Sequence, residues 1–487
     1  MTDPLIRRLV SGTLLVGFAG TTAPDWLRRW VADGLAGVCL FARNHESPEQ
    51  LAALTGAMRA ESPELLVAID EEGGQVTRLE ARGGSTLPGQ AALGHLDEPE
   101  TTRRVARVCA DRLRALGIDV ALAPVADVNI APENPVIGAR AFGDDPALVA
   151  RHVAAYVSGL RDGGVAACVK HFPGHGDTRV DSHVGVPVVD HDRSRWEAVD
   201  LPPFRAAFAA RAPLVMTAHV VVPALDRQIA TLSPAVLTGV LRRDLGFAGV
   251  AVSDALEMAA VSETVGVGEG AVQAMRAGAD LLCTGLREEP GYAAAAGLEQ
   301  AVASGRLPVA RLEEAVARVG EVATWTRRAR RAGAPAPVDV DLYDVVRRAA
   351  VVHDPGTRLP LSAPALVLEI SAPVSTGVGG TGADLAAALR GSLPDAERAP
   401  VDGDAGLLED RLSKQSGPVV LTVRDLVTGE DSRRCVRRAL ELRPDAVVVL
   451  TGLLADARLL PAGTTYVAVH AAGAVHVEVA ADILAGR

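Results

Sequence analysis

Lys170, His171, His175, Asp177, Asp181 and His183 fall within one short stretch, CVKHFPGHGDTRVDSHVGVP (168–187). Lysine is otherwise almost unused: Lys170 and Lys414 are the only two, and arginine supplies the rest of the 49 basic residues. Asp181 and His183 stand two residues apart, close enough for the carboxylate to hold one ring nitrogen and leave the other facing a substrate. Such a pair raises the imidazole's basicity and fixes its tautomer, which acid/base chemistry near neutrality requires. Gly174, Gly176 and Pro173 make the stretch a loop able to fold over a pocket. It lacks a nucleophile, which Asp254 in VSDALEM (252–258) can provide.

These residues need a frame. Eight short apolar runs recur at 13–20, 37–44, 65–74, 120–129, 166–174, 213–220, 249–258 and 279–286. Helical patterns such as SPEQLAALTGAMRAE, TTRRVARVCADRLRALG and DPALVARHVAAYVSGLRDGG separate them. Continuous apolar strands alternating with helices imply a parallel sheet covered on both faces, and eight such units imply a closed (β/α)8 barrel, a TIM barrel, over residues 1–335. An open doubly wound sheet is the alternative. RRARRAGAPAPVDVD (327–341) reads as a linker. Apolar runs at 364–371, 418–426, 445–453 and 464–473 then predict a smaller α/β sandwich domain over 336–487. Within it STGVGGTGADLAAALRG (375–391) imitates a dinucleotide fingerprint, but no ribose-binding acid follows, and it reads as a strand-to-helix turn.

Active sites of such barrels form at the C-terminal ends of the strands. Asp70, Asp127, Asn129, Lys170, His171, His219 and Asp254 all end apolar runs. Taken singly, each has a plainer role: Asp254 with Glu257 can form a capping box, Asp70 can orient the EEGG turn, and Arg78 can sit on the surface. Their convergence on one barrel mouth favours a catalytic site. The histidines and aspartates of the loop also suit a zinc or two-metal centre. However, barrel metallohydrolases spread their ligands over several strands, often from an H-x-H on the first, which residues 13–20 lack. A lysine beside the ligands is also unhelpful, so neither metal nor cofactor is expected.

DEEGGQVTR (70–78), NPVIGARAFG (134–143), KHFPGHGDTRVDSH (170–183) and VSDALEM (252–258) resemble, in order, the motifs of glycoside hydrolase family 3, and within it the NagZ-like β-N-acetylglucosaminidases of bacterial cell-wall turnover. The resemblance implies a retaining, exo-acting enzyme that removes terminal N-acetylglucosamine (GlcNAc) from muropeptide fragments or chitooligosaccharides. It implies Asp254 as nucleophile and His183 with Asp181 as acid/base. Asp70, Arg78, Arg140, Lys170 and His171 would line the subsite of the terminal sugar, while His175 and Asp177 brace the loop. The usual retaining glycosidase uses two carboxylates; this branch puts histidine in place of the acid. Other family 3 glycosidases, such as β-glucosidases, take their acid/base from elsewhere, so DSH argues against them. A histidine in place of an anionic base also leaves phosphate open as an acceptor instead of water.

The resemblance implies a small carbohydrate as partner, and the composition argues against nucleic-acid and membrane partners. The net charge of -11 is spread out, with no basic stripe for nucleic acid. No run approaches membrane-spanning length, and MTDPLIRRLVSGTLLVGFAG imitates a signal peptide but runs on into a strand pattern. Five scattered cysteines with no CxxC read as buried thiols of a reducing compartment. The expectation is a cytoplasmic enzyme, a monomer, with no nucleic-acid or membrane partner.

Overall fold

In the computed structural model, which describes residues 3–285, 287–333, 335–370, 383–401 and 405–487, the chain divides into two compact units. The first comprises Met1–Glu71, Pro99–Val128 and Asp144–Val340; the second comprises Glu72–Glu98, Asn129–Gly143 and Asp341–Arg487. The division is not a single cut along the chain, because two segments that follow barrel strands group with the C-terminal part.

Eight strands form the first unit's sheet: β1 (Leu14–Gly17), β2 (Gly37–Leu40), β3 (Leu66–Ile69), β4 (Val120–Ala121), β5 (Ala166–Phe172), β6 (Leu214–Thr217), β7 (Val250–Ser253) and β8 (Leu282–Thr284). Each lies inside one of the eight apolar runs. All neighbours pair in parallel in the order β8-β1-β2-β3-β4-β5-β6-β7. A bridge between Val252 and Leu281 draws β7 against β8, so the sheet closes on itself as a barrel. Helices fill the connections. Ser47 caps Pro48–Glu61, accepting from the Gln50 amide, and Asp145 caps Pro146–Asp162.

The strand period of two positions the chemistry. Leu66 and Ala68, Ala166 and Cys168, and Val250 and Val252 belong to one buried cluster inside the barrel. One further step along the same face reaches Asp70, Lys170 and Asp254. Each inward row therefore passes from an apolar core to a polar end at the C-terminal rim. Helix Val309–Arg331 adds Val319, Val322 and Ala323 to the same cluster. That helix runs into the stretch expected to be linker, because its arginines continue a helical turn before Gly333 ends it.

The second unit holds a six-stranded sheet of β9 (Val351–His353), β10 (Leu366–Ile370), β11 (Glu397–Val401), β12 (Val419–Val423), β13 (Val447–Leu450) and β14 (Thr465–Ala468), in the order β9-β14-β13-β12-β10-β11. Only β9 is antiparallel to its neighbour. Alternate residues feed two cores: Val367, Val420 and Val449 one face, Leu368, Leu421 and Val448 the other. This is the α/β sandwich expected. β9 and β11 were not legible: both are edge strands, one of three residues, the other carrying Glu397, Arg398 and Pro400. Residues 375–382 of the glycine-rich stretch 375–391 lie outside the described residues. No helix among the described residues is long and apolar enough to cross a membrane.

Candidate active site

Strand β5 delivers Lys170 and His171 to the rim, where its register with β6 shifts between Val169 and Phe172. Lys170 Nζ donates to Asp70 Oδ1 at 2.7 Å, with 3 % of the lysine side chain exposed and 18 % of the aspartate. The residue kept as lysine in an arginine-rich chain is thus an enclosed ammonium on a carboxylate that faces partly outward. His171 Nδ1 donates to Asp127 Oδ2 at 2.6 Å. Asp127 Oδ1 accepts from the His175 amide at 2.7 Å, so this one carboxylate ties the segment that follows β4 to the turn after β5. Burial works against charge on Asp127, but His171 and His175 outweigh it and hold the carboxyl below its ordinary value.

The turn needs its glycines. Gly174 donates to the His171 carbonyl at 2.8 Å with φ +125, and a Cβ there would meet Asp200 Oδ1 at 2.6 Å. A Cβ on Gly176 would overlap the Val128 carbonyl oxygen at 1.8 Å. Beyond the turn, His175 is buried, with Nδ1 2.6 Å from Thr178 Oγ1 and Nε2 3.4 Å from Ser182 Oγ. Asp177 Oδ2 accepts from His191 Nε2 at 2.6 Å, and Asp200 Oδ2 takes the other ring nitrogen at 3.0 Å. These two braces hold the loop on which Asp181 and His183 stand. Asp181 Oδ1 accepts from the His183 ring Nδ1 at 2.7 Å and from its amide at 2.8 Å. His183 is only partly covered, with 26 % of its side chain exposed.

Burial, and next His171, push His175 down to about 4, whereas the Asp200 carboxylate raises His191 above its usual value. The neutral His175 stabilises the fold fully above pH ~6.5, and that contribution is lost as the pH falls toward 4. The charged His191 contributes fully below pH ~6.5 and is lost as the pH rises through its raised value. A histidine-resolved NMR titration should therefore place the two midpoints on opposite sides of about 6.5. Both rings titrating together near that value would contradict the braces.

Asp254 ends β7 half-buried, its Oδ1 accepting from the Ala255 amide at 2.7 Å. Burial opposes its charge, yet His219, His171, the Ala255 amide and His183 together hold the carboxyl below the ordinary range. His219 is itself depressed by burial, and its Nε2 donates to the Ala255 carbonyl at 3.1 Å, fixing the peptide after Asp254. Lys170, Asp70 and Asp254 all act on the buried Cys168 thiol beneath them, which marks them as one cluster. The capping-box role for Asp254 and Glu257 does not occur: the next helix begins at Ala259, and Glu257 Oε1 accepts from the Gly285 amide instead.

The first unit thus brings together Asp70, Lys170, His171, Asp181, His183 and Asp254. Arg78 and Arg140 belong to the second unit. There Arg140 makes a buried two-bond pair with Glu72, at 2.9 and 2.8 Å, and Arg78 is half-buried. His191 and Asp200 escaped sequence reasoning because VVDHDRSRW signals only a helix start, which Asp192 duly caps. Among the described residues no group of three or more His, Cys, Asp or Glu is arranged to hold a metal ion.

Residues 19–322 match the family described as glycosyl hydrolase family 3 N terminal domain. The chain is 40% identical over 277 residues to a beta-hexosaminidase of Stenotrophomonas maltophilia, covering 55% of this chain and 82% of that one. It is 36% identical over 286 residues to beta-hexosaminidase A of Pseudoalteromonas piscicida, covering 54% of this chain and about half (48%) of that longer protein. Among solved structures, a glycoside hydrolase family 3 beta-N-acetylglucosaminidase from a Paenibacillus species superposes with a TM-score of 0.88 at 33% identity, over 99% of this chain and 96% of that one.

Proposed function

The chain belongs to glycosyl hydrolase family 3, and we propose that it is a retaining, exo-acting β-N-acetylglucosaminidase that removes terminal GlcNAc from muropeptide fragments or chitooligosaccharides. The observation that carries this reading is the Asp181–His183 dyad standing on a braced loop beside an ionised Asp254. In the proposed reaction Asp254 attacks the anomeric carbon while His183, as imidazolium, gives its Nε2 proton to the glycosidic oxygen. The bond to the leaving group breaks and a glycosyl-enzyme forms on Asp254. The now neutral His183 takes a proton from water, which attacks the same carbon and releases Asp254. Two inversions leave the configuration unchanged. Asp181 keeps the ring in the Nδ1–H tautomer, so exchange with substrate runs through Nε2. Asp70, Lys170 and His171 are assigned to the sugar's hydroxyls, as the resemblance assigns Arg78 and Arg140.

The test is NMR of the product from nitrophenyl N-acetyl-β-D-glucosaminide: the β-anomer should appear first, and the corresponding β-glucoside should be a far poorer substrate. An α-product would sink the covalent route. A second reading, phosphorolysis, is favoured by the same dyad, because a neutral imidazole does not repel phosphate as a second carboxylate would. Sugar 1-phosphate formed from a disaccharide in phosphate buffer would establish it.

Lys170→Arg should be damaging although it conserves charge. The ammonium is enclosed and sits 2.7 Å from Asp70, where a planar guanidinium needs more room and a different donor geometry. A loss in kcat/KM of about tenfold or more is expected, equivalent to at least ~1.4 kcal/mol of transition-state binding. Kinetics within a factor of about two of wild type would make the lysine incidental.

A further inference from the structure

The second unit carries a buried histidine that the chemistry above does not use. His476 lies near the start of helix Ala474–Ala485. Its partners leave one tautomer. The Val469 carbonyl can only accept, so Nδ1 carries the proton; the Gly89 amide, 2.9 Å away, can only donate, so Nε2 carries the lone pair. The neutral ring is a two-ended connector between the strand end at Val469 and Gly89, which lies 387 positions before His476.

What Gly89 carries gives that connection a consequence. It is the residue before helix Gln90–Leu96, and a Cβ on it would stand 3.2 Å from that of Ala471, so the two stretches of chain lie hard together. Gln90 Nε2 then donates to the Arg140 carbonyl at 2.8 Å. A Cβ on Gly94, one turn on, would overlap the Phe142 carbonyl oxygen at 1.8 Å, so this helix also presses on the backbone beside Arg140. Glu72, at the start of the same segment, grips the Arg140 guanidinium. Arg140 is therefore set at both backbone and side chain by segment 72–98, and His476 pins that segment where it turns into its helix.

We propose that His476 is a positioning residue for substrate binding, acting through Gly89 and Gln90 on Arg140. The proposal rests on the reading of Arg140 as a sugar-binding residue. Leucine at 476 fills much of the same space but neither donates nor accepts. Glutamine can donate to Val469 through its nitrogen and accept from Gly89 through its oxygen.

With a nitrophenyl N-acetyl-β-D-glucosaminide, His476→Leu should raise KM about tenfold, the order expected when one buried amide loses its acceptor, with kcat within about twofold of wild type. His476→Gln should recover most of that loss. In an Arg140→Lys background, which keeps a cation beside Glu72 but loses the fork, His476→Leu should add less than about twofold, because the two act as one unit. Amide hydrogen exchange over residues 85–96 should be accelerated in His476→Leu and near wild type in His476→Gln. The proposal is overturned if the penalties multiply in full in both backgrounds. It is equally overturned if glutamine behaves as leucine, if only the melting temperature falls, or if the exchange of residues 85–96 is unchanged. Arg140→Lys with a wild-type KM would instead remove the sugar-contact reading, and the exchange measurement would still show whether His476 holds the segment.

Discussion

Asp254→Asn is expected to lose about 10⁴-fold or more in turnover, the scale on which removing a catalytic nucleophile acts, on every substrate whatever its leaving group. The variant should nonetheless fold. An amide oxygen at this position can still accept from the Ala255 backbone amide, as the carboxylate oxygen does at 2.7 Å. The His219 grip on the Ala255 carbonyl does not involve the carboxyl group. Product should therefore still bind, read by calorimetry with N-acetylglucosamine, and the melting temperature should stay near that of wild type. Because the carboxyl lies below its ordinary range, Asp254 stays ionised through the neutral and mildly acid region, so it does not set an acid limb of the rate profile above about pH 4. Near-normal turnover from rigorously pure variant would move the nucleophile elsewhere.

Much of that site could be read from residue order alone. The inward rows Leu66-Ala68-Asp70, Ala166-Cys168-Lys170 and Val250-Val252-Asp254 are a period of two continued past its apolar part, and that pattern is visible without coordinates. The two-residue gap between Asp181 and His183 is likewise a local fact, and the side chains meet as the gap suggests. What stayed hidden depends on pairings distant in sequence. Nothing near residue 140 announces that its guanidinium meets Glu72, 68 positions earlier. Nothing near 191 announces that its ring bridges Asp177 and Asp200, since the flanking residues carry only the signature of a helix cap. Segments 72–98 and 129–143 look like ordinary strand-to-helix connections, yet they pack with the C-terminal residues, a choice made by tertiary burial after local propensity is spent. Strand β11 is hidden for the opposite reason: as a sheet edge it tolerates Glu397, Arg398 and Pro400, so it never shows an apolar run.

His183→Ala should separate the two halves of the proposed reaction. General acid catalysis contributes on the order of 10²–10⁴-fold, but only where the departing group needs a proton. A dinitrophenolate leaves unaided, so glycosylation of Asp254 from that substrate should survive the change fairly well. A disaccharide, whose leaving group is a sugar hydroxyl, should be almost inert. With the activated substrate the second step now lacks its base, so the glycosyl-enzyme should accumulate and the time course should show a burst. Azide attacks without giving up a proton, so adding it should speed turnover and yield a β-glycosyl azide. Asp181→Ala should show a milder form of the same pattern. It removes the carboxylate that accepts from the ring at 2.7 Å and from the backbone amide at 2.8 Å, and so loosens the imidazole without deleting it. The buried braces should be untouched by either change, since His175 is held by Thr178 and Ser182 and His191 by Asp177 and Asp200. A variant that loses activated and unactivated substrates equally, with azide doing nothing, would mean that His183 holds the loop and transfers no proton. The acid/base would then have to be sought at another imidazole that acts on Asp254, first the buried His171.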